Sequence, residues 1–328
     1  MRLVPVTQIS ITLLMDNVID MLLPKSPHVH RPPPGKDGKF LPSPIAEHGF
    51  SALIETEVYN SNSENTGSVQ RNTFLFDAGT SENGVIFNAD LFGIDFNSIN
   101  AIILSHGHFD HFTGLQSVAK RISRPVKLYA HPDAFLKRWD IFSDGTKLIN
   151  PILDQNALER LGLIVQKNDG PSGLPEQMYD DDPYLIVSGQ IPRETSYEKG
   201  FPPQYAEVEG KGLIHDPLIK DDQALVVNIE DKGLVIISGC GHAGIINTIN
   251  YAKKLGGTEK IHAVIGGFHL SGALYEDAIE PTITALQDDV DPDYIIPCHC
   301  SGWKAVNTII QHMPQKFMQP SVGTRFVF

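Results

Sequence analysis

Residues 105–111 place three histidines and an aspartate within six positions, and this segment constrains the chain more than any other. The four side chains belong to His106, His108, Asp110 and His111. Three imidazole nitrogens and one carboxylate oxygen form a donor set that zinc, iron, manganese and cobalt all accept. The apolar residues 100–104 just upstream are typical of a buried strand. The sequence therefore predicts a metal-binding loop at the end of a strand, open to a substrate on one side.

The spacing within this loop indicates two metal sites. His106 and His108 are two residues apart, so they point the same way in an extended segment. Asp110 and His111 follow where the chain has begun to turn, so they face a second point. Two metal ions about 3.5–4 Å apart can share a hydroxide that is a nucleophile near neutral pH. The alternative is a solvated histidine-rich loop, and four donors at this spacing after a strand argue against it.

The His-Gly-His-Phe-Asp-His run resembles the His-x-His-x-Asp-His signature of the metallo-β-lactamase superfamily. Further motifs follow in the expected order, at residues 75–79 (LFDAG), 238–244 (SGCGHAG), 266–270 (GGFHL) and 297–302 (PCHCSG). The last three, with residues 16–17 (DN) and 47–49 (EHG), resemble one branch, the 7,8-dihydropterin-6-methyl-4-(β-D-ribofuranosyl)aminobenzene-5′-phosphate synthase-like proteins. The resemblance covers roughly residues 8–310.

This resemblance implies an α+β fold of two mixed β-sheets packed face to face, with helices on both outer faces. The composition, 41% hydrophobic and 20% charged, is that of an ordinary globular protein. Because the motifs spread from end to end, we expect a single domain over residues 1–328. Two insertions are expected: a loop rich in proline and histidine at about 26–45, and an irregular segment at about 135–220. The resemblance implies that the second insertion is a lid over the metal loop.

Hydrophobic patterning predicts strands that alternate with helices. Strands are expected at residues 9–14, 51–58, 73–76, 101–104, 126–130, 184–187, 224–229, 233–238, 263–266 and 294–297. Helices are expected at residues 83–92, 112–120, 243–255, 276–287 and 301–312, with a short helix from the apolar residues 18–23. Residues 60–70 are polar and predict a hairpin tip or a flexible loop.

Two further histidines stand at strand ends and are candidate metal ligands. His242 follows residues 234–238 at a glycine-rich corner, where the backbone can approach a ligand closely. His299 follows residues 294–297, and its motif resembles the last metal histidine of the superfamily. The predicted ligands are therefore His106, His108, Asp110, His111, His242 and His299.

The sequence departs from the superfamily pattern at one corner. Most members carry Gly-Asp there, with the carboxylate bridging both metals, whereas this chain has Gly239-Cys240. Cys240, His242 and Asp222 are the candidates for that bridging position. A thiolate is a good zinc ligand, but buried cysteine is more often a small hydrophobe, so His242 is favoured.

Three other residues are expected around the centre. His269 follows a strand, and it is a candidate catalytic proton donor to the leaving group, with metal ligation and substrate contact as alternatives. The resemblance implies that Asp77 orients a ligand histidine without binding metal itself. His48 lies in a motif of the branch and is expected to approach the pocket.

Charge and cysteine usage exclude several classes of protein. Lys and Arg total 26 against 39 Asp and Glu, a net charge of −13, which argues against binding to nucleic acid and to anionic membranes. A small-molecule substrate fits this charge balance, and the substrate can be anionic because metal ions reverse the local sign of charge.

The three cysteines all lie in the motifs, so a reducing, cytoplasmic location is expected. Asp16 and Asp20 interrupt the apolar N-terminal run, which argues against a membrane span and an export signal.

The function expected from these observations is metal-dependent hydrolysis of an ester-type substrate, a phosphoester or a lactone. A hydroxide held by two divalent ions attacks, Asp110 accepts the water proton, and His269 protonates the leaving group. Zinc is the expected metal, with iron or manganese as alternatives. Two other functions compete: a synthase that joins a dihydropterin diphosphate to an aminobenzene riboside phosphate, and a non-catalytic binder of pterin- or folate-like molecules. Retention of all four cluster residues disfavours the binder.

Overall fold

The computed structural model describes residues 2–60, 68–175 and 182–328. Its strands are β1 (Gln8–Met15), β2 (Val29–His30), β3 (Gly35–Lys36), β4 (Lys39–Phe40), β5 (Ser51–Asn60), β6 (Ser68–Phe76), β7 (Ala101–Ile103), β8 (Val126–Ala130), β9 (Lys137–Ile141), β10 (Lys147–Ile149), β11 (Leu163–Lys167), β12 (Ser172–Leu174), β13 (Leu185–Val187), β14 (Gln204–Val208), β15 (Gly212–His215), β16 (Ala224–Ile229), β17 (Gly233–Ser238), β18 (Ile261–Gly267), β19 (Tyr294–Cys298) and β20 (Arg325–Val327). Its α-helices are α1 (Gly84–Phe92), α2 (Phe109–Phe112), α3 (Leu115–Arg121), α4 (Gln155–Arg160), α5 (Ile245–Gly256), α6 (Glu276–Ala285) and α7 (Trp303–His312).

Two mixed sheets form the body of the fold. The first has the strand order β11-β8-β7-β6-β5-β1-β20-β2, and the second has the order β12-β13-β16-β17-β18-β19. Their inner faces share one buried cluster, in which Ile11, Ile54 and Phe76 of the first sheet pack with Val227 and Ile265 of the second. The predicted face-to-face packing of two mixed sheets is confirmed.

Helices cover the outer face of each sheet. Helices α1, α3 and α4 pack on the first sheet through residues such as Val85 and Leu115. Helices α5, α6 and α7 pack on the second through Ile249, Ile283 and Ile309. Strands β17 and β18 are buried along their whole length, which explains why their sequences, apart from Ser238 and His262, are apolar without alternation. The predicted α+β arrangement with helices on both outer faces is confirmed.

Parallel strands bring the sequence motifs to one edge. Strands β6, β7, β8 and β11 run parallel in the first sheet, and β17, β18 and β19 run parallel in the second. Asp77 follows β6, residues 105–111 follow β7, His242 follows β17, and His299 follows β19. Ligands collect beyond the carboxyl ends of strands in open α/β sheets. The same topology here assembles a site from segments that are far apart in sequence.

The segment at 135–220 contains a small sheet of its own. Its strands pair antiparallel in the order β10-β9-β14-β15. Strands β10 and β15 are exposed along their length, so the alternation that marks a strand in sequence is missing there. Residues 176–181, with part of the acidic run, lie outside the described residues. The action of this segment as a lid stays a prediction.

Two local predictions were wrong. Residues 18–23 form no helix, because their backbone groups bond to the C-terminal region: Val322 N donates to Val18 O at 2.9 Å, and Asp20 N donates to Ser321 Oγ at 2.9 Å. The helix expected at 112–120 is two helices, since α2 begins inside the metal loop and α3 begins only at Leu115. The loop expected at 26–45 includes the short strands β2, β3 and β4, and the hairpin tip expected at 60–70 lies largely outside the described residues.

The state of the cysteines and the length of the helices relate to the expected reducing location and to the expected lack of a membrane span. All three cysteines are buried and free, with the Sγ atoms of Cys240 and Cys300 3.1 Å apart. Within the described ranges, each helix is too short or too polar to cross a bilayer. The cytoplasmic location itself stays a prediction.

Candidate metal centre

The metal loop is fixed at its start by a buried aspartate. Asp77 accepts hydrogen bonds from Ser105 N on Oδ1 and from Ser105 Oγ on Oδ2, both at 2.7 Å. Asp77 has a φ of 60°, in the left-handed region that non-glycine residues rarely adopt. A side chain at Gly239 would collide with Ser105 and Asp77, so glycine is required where the β17 corner approaches the loop.

Three histidines form the first ligand group. Nδ1 of His108 lies 3.1 Å from Nε2 of His242, and the ring centroids of His106 lie 4.5 Å from His108 and 4.8 Å from His242. One ligand atom from each residue falls within 4.8 Å of the other two. His106 and His108 therefore face the same point, as their spacing predicted, and His242 completes the group.

A carboxylate joins the second ligand group. Oδ2 of Asp110 lies 3.2 Å from Nε2 of His299, 3.6 Å from Nε2 of His48 and 3.7 Å from Nε2 of His111. The carboxylate is 11% exposed, so it faces the three imidazoles in a largely dry setting. Asp110 and His111 thus lie beside His299. Ligand atoms of His111 also fall within 4.8 Å of those of His106 and Cys240, so a separate second metal held by Asp110 and His111 stays a prediction.

Each of four histidines has one ring nitrogen held by a neighbour. Nδ1 of His106 lies 2.9 Å from Ser105 Oγ, and Nε2 of His108 lies 2.6 Å from Gln204 Oε1. Nδ1 of His111 lies 2.7 Å from Asp77 Oδ2, and Nδ1 of His299 lies 3.0 Å from Asn17 Oδ1. Metal-binding histidines commonly have one ring nitrogen held in this way, which fixes the tautomer and aims the other nitrogen at the metal.

The donor atoms fit divalent cations. Among the residues that the structure describes, Nε2 of His106 and Nε2 of His111 are buried and have no hydrogen-bond partner. Buried polar atoms of this kind are rare, and a bound metal is one of the few explanations for several that converge. The two groups together offer enough nitrogen and oxygen donors for two ions, in the mixture that zinc, iron and manganese accept.

Burial and charge set the protonation of these donors. Burial lowers the pKa of His106 and of His242, so both imidazoles are neutral, the form that binds metal. Burial raises the pKa of Asp110, but the charges of His111 and His299 outweigh it and hold that pKa below its usual value. Burial lowers the pKa of His111, but the carboxylates of Asp110 and Asp77 outweigh it and raise that pKa to about 9. The carboxylates of Asp110 and Asp77 therefore stabilise positive charge at the His111 position.

Cys240 lies between the two groups. Its Sγ is within 4.8 Å of ligand atoms of His106 and His111, and of ligand atoms of His299 and Cys300 in a second combination. His242, favoured from the sequence for the bridging position, lies in the first group, and the identity of the bridging residue stays a prediction. Asp222 accepts a hydrogen bond from Ala243 N at 2.6 Å, so its carboxylate supports the loop that carries His242.

His269 lies beside the first group. Its ring centroid is 3.9 Å from that of His242, its Nδ1 is 3.2 Å from Cys240 Sγ, and its Nε2 is 2.8 Å from Tyr275 Oη. His269 and His299 both have a φ of 48°. Non-glycine residues in this left-handed region cluster at functional sites, where surrounding structure holds them against the strain.

Sequence reasoning missed several residues that hold the ligands. Gln204 comes from β14, and no local pattern marked a glutamine in the irregular segment. Arg193 Nη1 donates to His242 O at 2.6 Å. Glu198 accepts from Ile246 N at 2.8 Å at the start of α5. Asn17 was noted only as part of a motif, and that motif was the signal available for its contact with His299.

Replacing Asp77 with asparagine should weaken metal binding about 10- to 100-fold, the usual loss when a residue that orients a metal ligand is changed. An asparagine has one acceptor oxygen in place of two, so it cannot hold both Ser105 and the His111 ring as Asp77 does. Competition with a chelator measures the affinity. Asp154→Asn is the control, because Asp154 caps α4, which contributes no ligand. Equal metal retention in both variants would contradict this role.

Comparisons with known proteins identify the family of the chain. A sequence model of the metallo-beta-lactamase superfamily matches residues 69–253. The chain is 32% identical to a 7,8-dihydropterin-6-methyl-4-(beta-D-ribofuranosyl)-aminobenzene-5′-phosphate synthase of Methanocaldococcus jannaschii, over 85% of this chain and 89% of that protein. It is 33% identical to an uncharacterised protein of the same organism, over 81% of this chain and 89% of that one.

A solved structure shares the fold. It is that of Tm1679, described as a metal-dependent hydrolase of the beta-lactamase superfamily, with a TM-score of 0.69 and 22% identity. The match covers 97% of this chain and 98% of that one. The chain therefore belongs to the metallo-β-lactamase superfamily, in the branch of the dihydropterin synthase-like proteins.

Proposed function

We propose that the protein is a metal-dependent hydrolase of a small ester-type molecule, a phosphoester or a lactone. One observation carries the proposal: four histidines each have one ring nitrogen held by a neighbour and the other turned toward Asp110, Cys240 or His242. Such an arrangement suits a pair of divalent ions, with zinc as the expected metal. When bound, these ions supply Lewis acidity, which lowers the pKa of water and polarises the substrate oxygen.

The residues of the second group orient the attacking water in this proposal. Asp110 has one carboxylate oxygen, Oδ2, among the three imidazoles of His48, His111 and His299. A carboxylate there accepts the proton that water loses as it attacks the ester. His48 is the most exposed of the three, with a side chain 66% accessible, so it lies on the side from which substrate enters.

Proton supply to the leaving group is assigned to His269. The His269 ring packs against the ring of His242. Nε2 of His269 lies 2.8 Å from Tyr275 Oη, so His269 and Tyr275 form one hydrogen-bonded pair. Burial raises the pKa of Tyr275 well above its usual value, which keeps the hydroxyl protonated. In this proposal a ring N–H of His269 gives its proton to the departing oxygen as the ester bond breaks, while the Tyr275 hydroxyl keeps its own proton and holds the ring in place.

A second candidate function is the synthase reaction that joins a dihydropterin diphosphate to an aminobenzene riboside phosphate and displaces pyrophosphate. The relative at 32% identity, which bears the name of such a synthase, favours it. Both reactions need cations beside a substrate oxygen. They differ in the nucleophile, which is water in one and the aminobenzene compound in the other.

Parallel assays on metal-loaded protein separate the two candidates. The panel contains a nitrophenyl phosphodiester, an acyl lactone, and a dihydropterin diphosphate supplied with the aminobenzene riboside phosphate. Chelator-treated protein is the control. We expect saturable, metal-dependent turnover of at least one ester. Release of pyrophosphate only when both synthase substrates are present, with no ester turnover, would overturn the hydrolase proposal in favour of the second candidate.

A further inference from the structure

Two of the three cysteines lie side by side at the metal centre. Cys240 follows β17 and Cys300 follows β19, so they come from different strands of the second sheet. Their Sγ atoms are 3.1 Å apart, and Cys300 Sγ also donates to Cys240 O at 3.0 Å. A disulfide has its sulfurs about 2.05 Å apart, so each sulfur needs to move by only roughly 0.5 Å to form the bond.

A glycine allows the two cysteines to meet. Strand β18 lies between β17 and β19, and Gly267 is its last residue. A Cβ atom at Gly267 would lie 2.8 Å from Cys300 Sγ and 2.9 Å from Cys240 Cα, which is closer than real Cβ atoms come. Any other residue at this position would therefore push the cysteines apart. The close contact of the sulfurs depends on the backbone of three adjacent strands.

The third cysteine has a different environment. Cys298 is 2% exposed and packs in the apolar cluster between the two sheets. Its Sγ donates to Ile296 O at 3.4 Å, a carbonyl of its own strand. Buried cysteines of this structural kind are inert, whereas reactive ones lie near basic groups at a functional site. Cys298 is therefore the internal control for the other two.

Basic groups and an entry route are present at Cys240. Nδ1 of His269 lies 3.2 Å from Cys240 Sγ, so the ring is placed to accept the thiol proton. Ligand atoms of His106 and His111 lie within 4.8 Å of the same sulfur, which puts it inside the metal centre. Hydrogen peroxide is close to water in size, so an opening that admits the attacking water admits peroxide as well.

We propose that Cys240 and Cys300 are a site of reversible oxidation, at which a disulfide forms and empties the metal centre. Peroxide first oxidises the Cys240 thiol to a sulfenic acid and is itself reduced to one water molecule. The Cys300 sulfur then attacks the Cys240 sulfur, the S–S bond forms, and the sulfenic oxygen leaves as a second water molecule. The two thiols give up two electrons and two protons in total, and peroxide receives them. The proposal rests on the proposed function, because it concerns the regulation of that same site.

The disulfide weakens metal binding because it changes the sulfur between the two ligand groups. A thiolate is a metal ligand, whereas a sulfur in a disulfide has lost that charge. The cross-link also draws Cys240 Sγ toward Cys300 and away from His106 and His111. The converse holds as well, since a metal ion beside Cys240 competes with peroxide for the sulfur. Disulfides in reducing compartments are usually transient and often sense oxidants, which agrees with the free thiols of the resting protein.

Peroxide treatment of the zinc-loaded full-length protein tests the proposal. Free thiols are blocked under denaturing conditions, peptides are mapped by mass spectrometry, and bound zinc is measured on the same samples. We expect free thiols to fall from three to one per chain, with a peptide that links Cys240 to Cys300. Bound zinc should fall in step with the cross-link, and dithiothreitol followed by zinc should restore both. Chelator-treated protein should form the cross-link faster than zinc-loaded protein.

Two variants assign the cross-link to its residues. Cys298→Ala should form the same cross-link, and Cys300→Ser should form none, although its hydroxyl still donates to Cys240 O. If Cys300→Ser fails to fold, the wild type and Cys298→Ala still decide. Three free thiols after peroxide, a cross-link through Cys298, or a Cys240–Cys300 cross-link with unchanged zinc content would overturn the proposal. Thiols are counted without turnover, so a missing cross-link leaves the hydrolase proposal standing, and a failed ester panel leaves the oxidation site standing.

Discussion

The Asp110→Ala variant should lose metal from the second group and lose turnover by about 10²- to 10⁴-fold, the range that a positioned general base contributes. Oδ2 of Asp110 lies between 3.2 and 3.7 Å from one ring nitrogen each of His299, His48 and His111. Removing it takes away the only oxygen donor of that group among the described residues, and with it the acceptor for the water proton. Metal content by mass spectrometry and ester turnover are measured on the same preparation.

Asp110→Asn is the matched comparison. Asparagine keeps the shape and one oxygen, so it should retain more metal than alanine, yet it lacks the charge that accepts a proton. We expect both variants to lose turnover by about 10²- to 10⁴-fold and only the alanine variant to lose most of the second ion. Full metal content together with full turnover in Asp110→Ala would remove Asp110 from the site and contradict the mechanism.

The second large effect is on stability. Asp221→Ala should destabilise the protein by about 3–5 kcal/mol, the usual result of removing one partner of a buried ion pair. Asp221 is fully buried and forms two hydrogen bonds with the guanidinium of Arg138, which is 1% exposed. Asp221 also accepts from Gly107 N at 2.7 Å, so it ties β9 to the metal loop. Urea unfolding measures the change through the midpoint of the transition.

A double variant separates the buried charge from the packing. Arg138→Met with Asp221→Leu removes both charges, and it should recover most of the stability, because an apolar pair of similar volume often replaces a buried ion pair without loss. Asp90→Asn is the surface control, since the Asp90–Arg121 pair is half-exposed and screened by solvent. A loss in the double variant as large as in Asp221→Ala would contradict the assigned cause. Metal retention should still fall, because Gly107 N loses its acceptor.

Much of the fold could be predicted because it rests on local apolar patterns. Runs such as residues 233–238 and 294–297 are long enough to mark buried strands, and amphipathic spacing marks α5 and α7. The ligands of residues 105–111 could be predicted because four donors share one loop. Where two parallel strands end at one edge, histidines after each strand meet by topology alone, which explains His242 and His299.

The rest of the site depends on contacts between distant segments. Gln204 reaches His108 from a strand with no apolar alternation, and Asn17 reaches His299 across 282 positions of sequence. The bridging position illustrates the same limit. Cys240 and His242 are two residues apart, and only the path of the chain decides which of them lies between the two groups. Residues 18–23 failed as a helix for a related reason, since hydrogen bonds to the C-terminal region replace the local ones.

Metal analysis of untagged protein tests the central claim most directly. The protein is purified without a histidine tag, dialysed against buffer without chelator, and measured by inductively coupled plasma mass spectrometry beside the His106→Ala and His299→Ala variants. We predict about two equivalents of divalent metal per wild-type chain, since two-metal hydrolytic sites hold their ions as a pair, and less in each variant. Wild-type protein that takes up no metal, even after incubation with zinc, iron and manganese, would contradict the account.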